Sequence, residues 1–269
     1  MIETPPATRY DAIVLAGTRA SGDPVAITKG VKHKAIVPVA GTPMLVRVVT
    51  ALASCEVIDR IAISIEIPDV VEAIPQLEIL AEQGRLITAE TADTPSKSVA
   101  KAVGALGQRF PILVTTADHA LLSPDIVETF IEGLSDRDAD VVAGVASKDV
   151  IQKAYPDTKR TYLKFRDGQF SGCNLFALMT PRAMQAVTFW RRVEEQRKRP
   201  WHIARAVGIS SLFLYLTGLL TLRDGLARLS RCIGARADIV RLAIAEAAID
   251  VDKPDDLDHV ERILGTQEP

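Results

Sequence analysis

The chain has 269 residues, of which 48% are hydrophobic and 25% charged, a globular balance that excludes disorder and low complexity. A chain of this length buries roughly 70–75% of its unfolded surface, so it needs neither disulfides nor a structural metal. With 32 basic and 34 acidic residues the net charge is −2, which argues against nucleic acid as a partner and leaves only a local basic patch as a charged surface.

In chain order, Asp11-Ala-Ile-Val-Leu-Ala16 reads as a buried strand. Residues 17–32, with three glycines and Pro24, read as a long polar loop. A helix is expected over 43–54, with Pro43 in its first turn, where a missing N–H is tolerated. A strand follows at 60–65, then a helix over 69–83 that Pro75 should kink or split. A short strand at 86–88 leads to a helix over 96–108 with apolar Val99, Ala102, Val103 and Leu106. After a strand at 111–116 comes a helix over 123–134, with Ser123 as its cap ahead of Pro124. A fifth strand covers 140–146. Strands alternating with helices at this rhythm predict a parallel sheet covered on both faces, and nearly continuous apolar strands fit burial on both sides. Ligands of such sheets bind beyond the carboxyl ends of the strands. The loops opening at Gly17, Ala89, Ala117 and Ser147 are therefore expected to converge.

Beyond Ser147 the rhythm changes. Two strands, 161–165 and 170–179, are joined by the turn Arg166-Asp167-Gly168. Helices are expected over 181–198 and 221–233, a final strand over Ala247–Asp252 and a closing helix over 254–264. There is no internal repeat or linker-like segment, so one domain spanning 1–269 is expected. Its parts are 10–150, an elaborated 151–245 and a closing 246–265.

Ala206 to Leu222 is a run of 17 residues without a formal charge. It follows Pro181–Arg199, which holds six basic and two acidic residues, and Trp201. Basic, then aromatic, then apolar is the order found at a membrane interface. As a helix, 17 residues reach about 26 Å, short of a hydrocarbon core of about 30 Å. A buried or subunit-interface helix is the preferred reading, which would make a homo-oligomer; peripheral membrane contact is the alternative.

Residues 1–10 carry two prolines and no apolar core of signal-peptide length. Cys55, Cys173 and Cys232 are few, odd in number and far apart, which fits reduced thiols in a cytoplasmic protein. The histidines His33, His119, His202 and His259 are scattered, which argues against a zinc site.

The first strand runs into Leu15-Ala16-Gly17-Thr18-Arg19-Ala-Ser-Gly22-Asp-Pro24. Such a loop either wraps phosphates with its N–H groups or uses its glycines only to turn. It is neither a Walker A motif nor a G-x-G-x-x-G fingerprint. It is followed by His33-Lys34-Ala-Ile-Val-Pro38-Val-Ala-Gly41-Thr-Pro43-Met-Leu45. In order and spacing, the first strand, Leu15-Ala16-Gly17, Arg19, Lys34, Pro38, Gly41, Pro43 and Leu45 resemble the nucleotidyltransferase superfamily. That superfamily holds the molybdenum-cofactor guanylyltransferase-like (MobA-like) and the sugar-phosphate or alditol cytidylyltransferase-like enzymes. The resemblance covers residues 10–150 and, more loosely, 246–265. Thr18 replaces the second loop glycine, the loop to Lys34 is longer than usual, and Asp118-His119-Ala120 lacks a proline many relatives carry.

The resemblance implies a Rossmann-like three-layer α/β/α fold with an added helical segment in the C-terminal half. It also implies Mg²⁺-dependent transfer of a nucleotidyl group from GTP or CTP to a phosphorylated acceptor, with pyrophosphate released. Leu15, Ala16, Gly17, Thr18 and Gly22 would then approach the phosphates, with Ser96 and Ser98 on the nucleobase side. Arg19 and Lys34 would be the catalytic cations. Asp118 would hold Mg²⁺, with Asp252 and then Asp250, from Asp250-Val-Asp252-Lys-Pro254-Asp-Asp256-Leu, as its partner. Asn174, Gly172, Lys159 and Arg160 are candidates for the acceptor. Each has a plainer reading: a turn or capping aspartate, a surface lysine, an edge strand guarded by charge, or a Gly172 that lets strands pack closely. A glycosyltransferase using a nucleotide-sugar and a non-catalytic nucleotide-binding protein stay open as alternatives.

Overall fold

The computed structural model describes residues 8–18, 22–72, 74–135, 137–196 and 209–265. The strands are β1 (Tyr10–Leu15), β2 (Pro38–Val39), β3 (Thr42–Pro43), β4 (Ile58–Ser64), β5 (Leu86–Ala89), β6 (Ile112–Thr116), β7 (Val141–Ser147), β8 (Leu163–Phe165), β9 (Gly168–Leu178) and β10 (Ala237–Leu242). Eight of them form one sheet in the order β10-β7-β9-β6-β1-β4-β5, with β8 paired to β9; β2 and β3 form a separate ribbon. β1 runs parallel to β4 and β6, and β10 parallel to β7. The long β9 lies antiparallel between β6 and β7.

Alternation along the strands builds the layers. Ala12, Val14, Ile61, Ile63 and Leu113 point to one buried cluster, which takes in helices α2 (Met44–Ala53) and α6 (Pro124–Glu132). Ile13, Ala62, Ile112 and Val114 point to the other, with α5 (Pro95–Ala105) and α8 (Met184–Gln196). A strand buried on both faces has no polar side to show. The architecture is a three-layer, Rossmann-like α/β/α fold. A third, smaller cluster sits at the carboxyl edge: Val25, Val37, Val39, Met44, Leu121, Ile249, Val251, Leu257 and Val260. It packs the loops that carry the site against the last helix, α11 (Pro254–Gly265).

Pro75 splits the expected helix into α3 (Pro68–Glu72) and α4 (Pro75–Glu82). Ser123 caps α6 by accepting the Ile126 N–H. Elsewhere the sequence reading needs correction. The polar loop over 17–32 contains a short helix, α1 (Pro24–Thr28), whose Asp23 cap accepts the N–H groups of Val25 and Ala26. Pro43 lies in β3, one residue ahead of α2. The expected final strand over 247–252 is no strand: Ala245–Ala248 is a 3-10 turn, and the extended residues after it pair with no sheet. Its place is taken by β10, an edge strand whose Asp238 and Arg241 interrupt the apolar pattern.

The uncharged run is not one helix. Helix α9 (Ile209–Leu216) ends in a turn at Gly218, and Thr221 caps α10 (Leu222–Ile233). Residues 206–208 lie outside the described residues, as do Arg197–Arg199 and Trp201. The described part of the run is buried only in part: Leu220 and Leu222 are buried, whereas Leu212, Phe213, Leu216 and Leu219 are exposed. Among the described residues no helix is long and apolar enough to cross a membrane.

Candidate active site

Lys34 begins a 3-10 turn, Lys34–Ile36, that follows β1 in the chain and is capped by the His33 ring. Its Nζ donates to Asp118 Oδ2 at 2.6 Å, lies 3.5 Å from Asp252 Oδ1 and 4.0 Å from Asp23 Oδ2. Asp118 stands just past the carboxyl end of β6. Asp252 reaches it because the Val251 N–H donates to the Asp118 carbonyl at 3.0 Å. One backbone bond thus joins chain segments more than 130 residues apart. Burial opposes the charge on Lys34, but Asp118, Asp252 and Asp23 outweigh it and raise the lysine's pKa. Burial, then the charge of Asp250, raises the pKa of Asp252 against the opposing pull of Lys34. Asp118 Oδ1 is buried with no hydrogen-bond partner.

The loop after β1 leads into this cluster. Ala16 N–H donates to the Ser64 carbonyl, and Ala117 N–H to the Leu15 carbonyl. Gly22 has φ +80°, a conformation that favours glycine. Arg19 lies outside the described residues. Thr18 donates its backbone N–H to Glu66, and its hydroxyl lies 3.4 Å from the same carboxylate. Glu66 also meets His33 Nε2 at 3.1 Å. Since His33 Nδ1 accepts the Ala35 N–H, the ring proton sits on Nε2 and donates to Glu66. On the neighbouring loop, Ser98 Oγ accepts the Ala92 N–H at 2.9 Å. Ser96 donates its hydroxyl to Glu194 of α8, and its N–H lies 3.3 Å from the same carboxylate.

A second polar group adjoins the first. Asp250, buried, accepts from Arg160 Nη1 and, at 2.6 Å, from Asn174 Nδ2. Asn174 has φ +46° at an irregularity of β9, where the register with β7 shifts between Ala143 and Val145. A bulge re-aims a side chain in this way, here toward Asp250. Both Asp250 oxygens are therefore engaged away from Lys34, whereas Asp118 and Asp252 share its ammonium. Lys159 is exposed and makes no part of this group. A Cβ on Gly172 would meet nothing within 4 Å, so close packing is not what this glycine provides. Cys173 is buried, which pushes its thiol up to about 12 and makes it no nucleophile. Burial likewise pulls His119 down to about 4, leaving it neutral beside Asp118. The Ser147 turn opens elsewhere: it caps α7 (Lys148–Ala154) and lines a groove of about 550 Å³ with Phe165–Phe170 and Arg241. That groove and another of about 560 Å³ by Arg47 and Ser123 include neither Lys34 nor Asp118.

Sequence reasoning missed Asp23, His33, Glu66 and Glu194. Asp23 had a signal, since Asp-Pro marks a helix start; Glu66 and Glu194 had none. Among the described residues no three His, Cys, Asp or Glu side chains converge as a ready cage for a metal. The donor set is nevertheless two carboxylates, one with an unpartnered buried oxygen. That suits a hard cation held by one or two carboxylates together with ligand phosphates.

Sheet, site and edge define a Rossmann-like α/β protein with a lysine–carboxylate centre beyond the ends of its parallel strands. Residues 12–205 match the MobA-like NTP transferase domain family, and the chain belongs to that family. A solved structure described as a hypothetical transferase from Thermus thermophilus is 31% identical, covering 93% of this chain and all of its own, with TM-score 0.77. The 4-diphosphocytidyl-2C-methyl-D-erythritol synthase of Anaerococcus prevotii is 12% identical over 96% of both chains, with TM-score 0.58. A CMP:2-keto-3-deoxy-manno-octonic acid synthetase complexed with CTP is 13% identical over 97% of this chain and 100% of that one, with TM-score 0.57. At such identity these two share the fold. No curated protein sequence matches significantly.

Proposed function

We propose that this nucleotidyltransferase moves NMP from CTP or GTP to the phosphate of a small acceptor. An acceptor phosphate oxygen bonds to the α-phosphorus as the α–β anhydride bond breaks and pyrophosphate leaves. The observation that carries the reading is Lys34, an ammonium packed among Asp118, Asp252 and Asp23 at the carboxyl edge of the sheet. An acceptor phosphate is already ionised at neutral pH, so the step needs no strong base; it needs charge neutralisation and alignment. This accords with a site whose His119 is buried and neutral and whose Cys173 is inert. Lys34 would neutralise charge on the α-phosphate. The backbone of Gly17 and Thr18 would meet the phosphates, with Ser96 and Ser98 beside the nucleoside. Arg160 and Asn174, held by Asp250, would face the acceptor. Asp118 and Asp252 would hold Mg²⁺, which when bound neutralises and orients the phosphates. Two fold neighbours are a 4-diphosphocytidyl-2C-methyl-D-erythritol synthase and a CMP:2-keto-3-deoxy-manno-octonic acid synthetase complexed with CTP, which puts CTP first.

The test is pyrophosphate release from each NTP across a panel of sugar, alditol, molybdopterin and lipid-headgroup phosphates, with Mg²⁺ or with chelator. Turnover is expected with one pyrimidine or purine triphosphate, only with Mg²⁺, and is expected to be lost in Asp118→Asn. Stabilisation by a nucleotide-sugar and by no NTP would overturn the reading.

A further inference from the structure

Among the described residues eight large apolar side chains are exposed, and five of them lie together. Leu212 (39% exposed), Phe213 (62%), Leu216 (73%) and Leu219 (55%) are on α9 and the turn after it; Leu163 (53%) is on β8. The segment that carries them is pinned in place. The Tyr215 ring stands edge-on to Phe165, centroids 5.9 Å apart, and its hydroxyl accepts the Lys164 N–H at 3.4 Å. Arg166 N–H donates to the Leu220 carbonyl and Leu222 N–H to Asp167 Oδ1, both at 2.8 Å. Leu220 and Leu222 are buried. One face of the segment is thus anchored on the β8–β9 hairpin, and the apolar remainder is held facing water. An apolar group of this kind, rimmed by polar residues, marks an interaction surface.

The rim decides the partner. Lys164, Arg166 and Arg223 are exposed beside it, and Arg241 is 60% exposed on the adjoining edge strand. Two carboxylates lie among them: Asp167 receives the Leu222 N–H and stands 4.0 Å from Arg241, and Asp224 accepts the Thr221 hydroxyl and holds the start of α10. Lys164, Arg166, Arg223 and Arg241 against these two carboxylates leave the rim net basic. A two-fold contact between copies would set this rim against itself, with like charges facing. A negatively charged bilayer meets both features, since it accepts the apolar side chains and attracts the cations around them.

We propose that α9, the turn to Leu219 and the β8–β9 hairpin form a docking surface for anionic membrane, with Phe213 and Leu216 as the inserting side chains. The pairing of Ser147 with Phe170 puts the hairpin at the carboxyl end of β7, the same edge of the sheet that carries Lys34 and Asp118. Docking turns the site's edge toward the lipid. This surface is independent of which nucleotide the protein uses.

The full chain is to be floated with vesicles of neutral phosphatidylcholine, alone or with about 30% phosphatidylglycerol, at about 20 and about 500 mM salt. Binding is expected to the anionic vesicles at low salt, with a drop of at least about tenfold at high salt as screening removes the basic rim. Phe213→Asp with Leu216→Asp is expected to lower the bound fraction at least about tenfold, with the melting temperature and sedimentation coefficient unchanged. Three results overturn the proposal: no binding to anionic vesicles at low salt, equal binding to neutral vesicles, or self-association that the same substitutions abolish.

Discussion

At the scale of single residues, the site is a matter of which charges face each other. In Lys34, the attraction of three carboxylates overcomes burial and raises the pKa. The ammonium stays charged through the neutral range, so no alkaline limb of activity below the ordinary lysine pKa is expected to come from it. Lys34→Met is expected to lower kcat by about 10²–10³-fold, the usual effect of deleting one preorganised charge at a developing oxyanion, measured by pyrophosphate release at saturating NTP. An effect below tenfold would remove it from the chemistry. Arg160 tests the second polar group. Arg160→Met leaves Asp250 buried, with only Asn174 donating to it. Removing one member of a buried ion pair is strongly destabilising, and for this partly buried pair a loss of about 2–4 kcal/mol in urea denaturation is expected. Asp250→Asn in the same chain should restore part of it. Lys34 and Asp118 were legible because each stands at a fixed place in the order of strands and loops. Glu66 and Glu194 were not, since they meet Thr18 and Ser96 across 48 and 98 residues, distances over which sequence carries no local pattern. The resemblance of the Asp250–Leu257 stretch offers both Asp250 and Asp252 as metal ligands; the fold adds that Asp250 meets Arg160 and Asn174 whereas Asp252 meets Lys34.

At the scale of elements, the stops and starts were the most legible features, because they are local chemistry. Pro75 divides a helix, Ser123 caps one, and Thr221 caps another near the end of the uncharged run. What failed was the distinction between an apolar run that pairs and one that does not. Ala247, Ala248, Ile249 and Val251 are apolar and buried yet outside the sheet, whereas β10 carries charges because it lies at an edge. The packing of that edge is testable at Gly133, the residue that ends α6. Its φ of −66° suits any residue, so the constraint is space: a Cβ there would lie 2.5 Å from Val240 Cγ1 on β10. Gly133→Ala is expected to cost about 1–3 kcal/mol through overpacking. Adding Val240→Ala, which removes the obstructing methyl groups, should recover part of the loss, so that the two changes are non-additive. Equal losses in single and double variants would place the effect in the backbone of α6 instead.

At the scale of the whole molecule, the residues beyond Ser147 are tied to the strands before them through the amino ends of β7 and β10 and the carboxyl end of β9. Asp140, almost fully buried, sits at that junction. It accepts the Arg236 backbone N–H at 2.8 Å, the Arg236 guanidinium at 3.2 Å and the Thr180 hydroxyl at 2.8 Å, and its carbonyl accepts the Met179 N–H. The Arg236 side chain is the main cause that holds the Asp140 carboxyl down at about 2. A carboxyl whose folded pKa is depressed binds its proton more readily when unfolded. Its contribution is therefore present above the ordinary aspartate pKa near 4, shrinks below that value, and is lost as pH falls through about 2. The depression corresponds to roughly 2 kcal/mol, and the half-exposed arginine brings the expected share to about 1–2 kcal/mol. Asp140→Asn should then lower the urea midpoint clearly at pH 7 and pH 5, and the gap from the unsubstituted protein should narrow between pH 4 and pH 2.5. A gap that stays constant across that range would mean that the hydrogen bonds of Asp140, which an asparagine partly reproduces, matter more than its charge. Because the junction joins β7, β9 and β10 far from Lys34, pyrophosphate release by the folded variant should match that of the unsubstituted protein at pH 7, separating what holds the sheet together from what acts at its carboxyl edge.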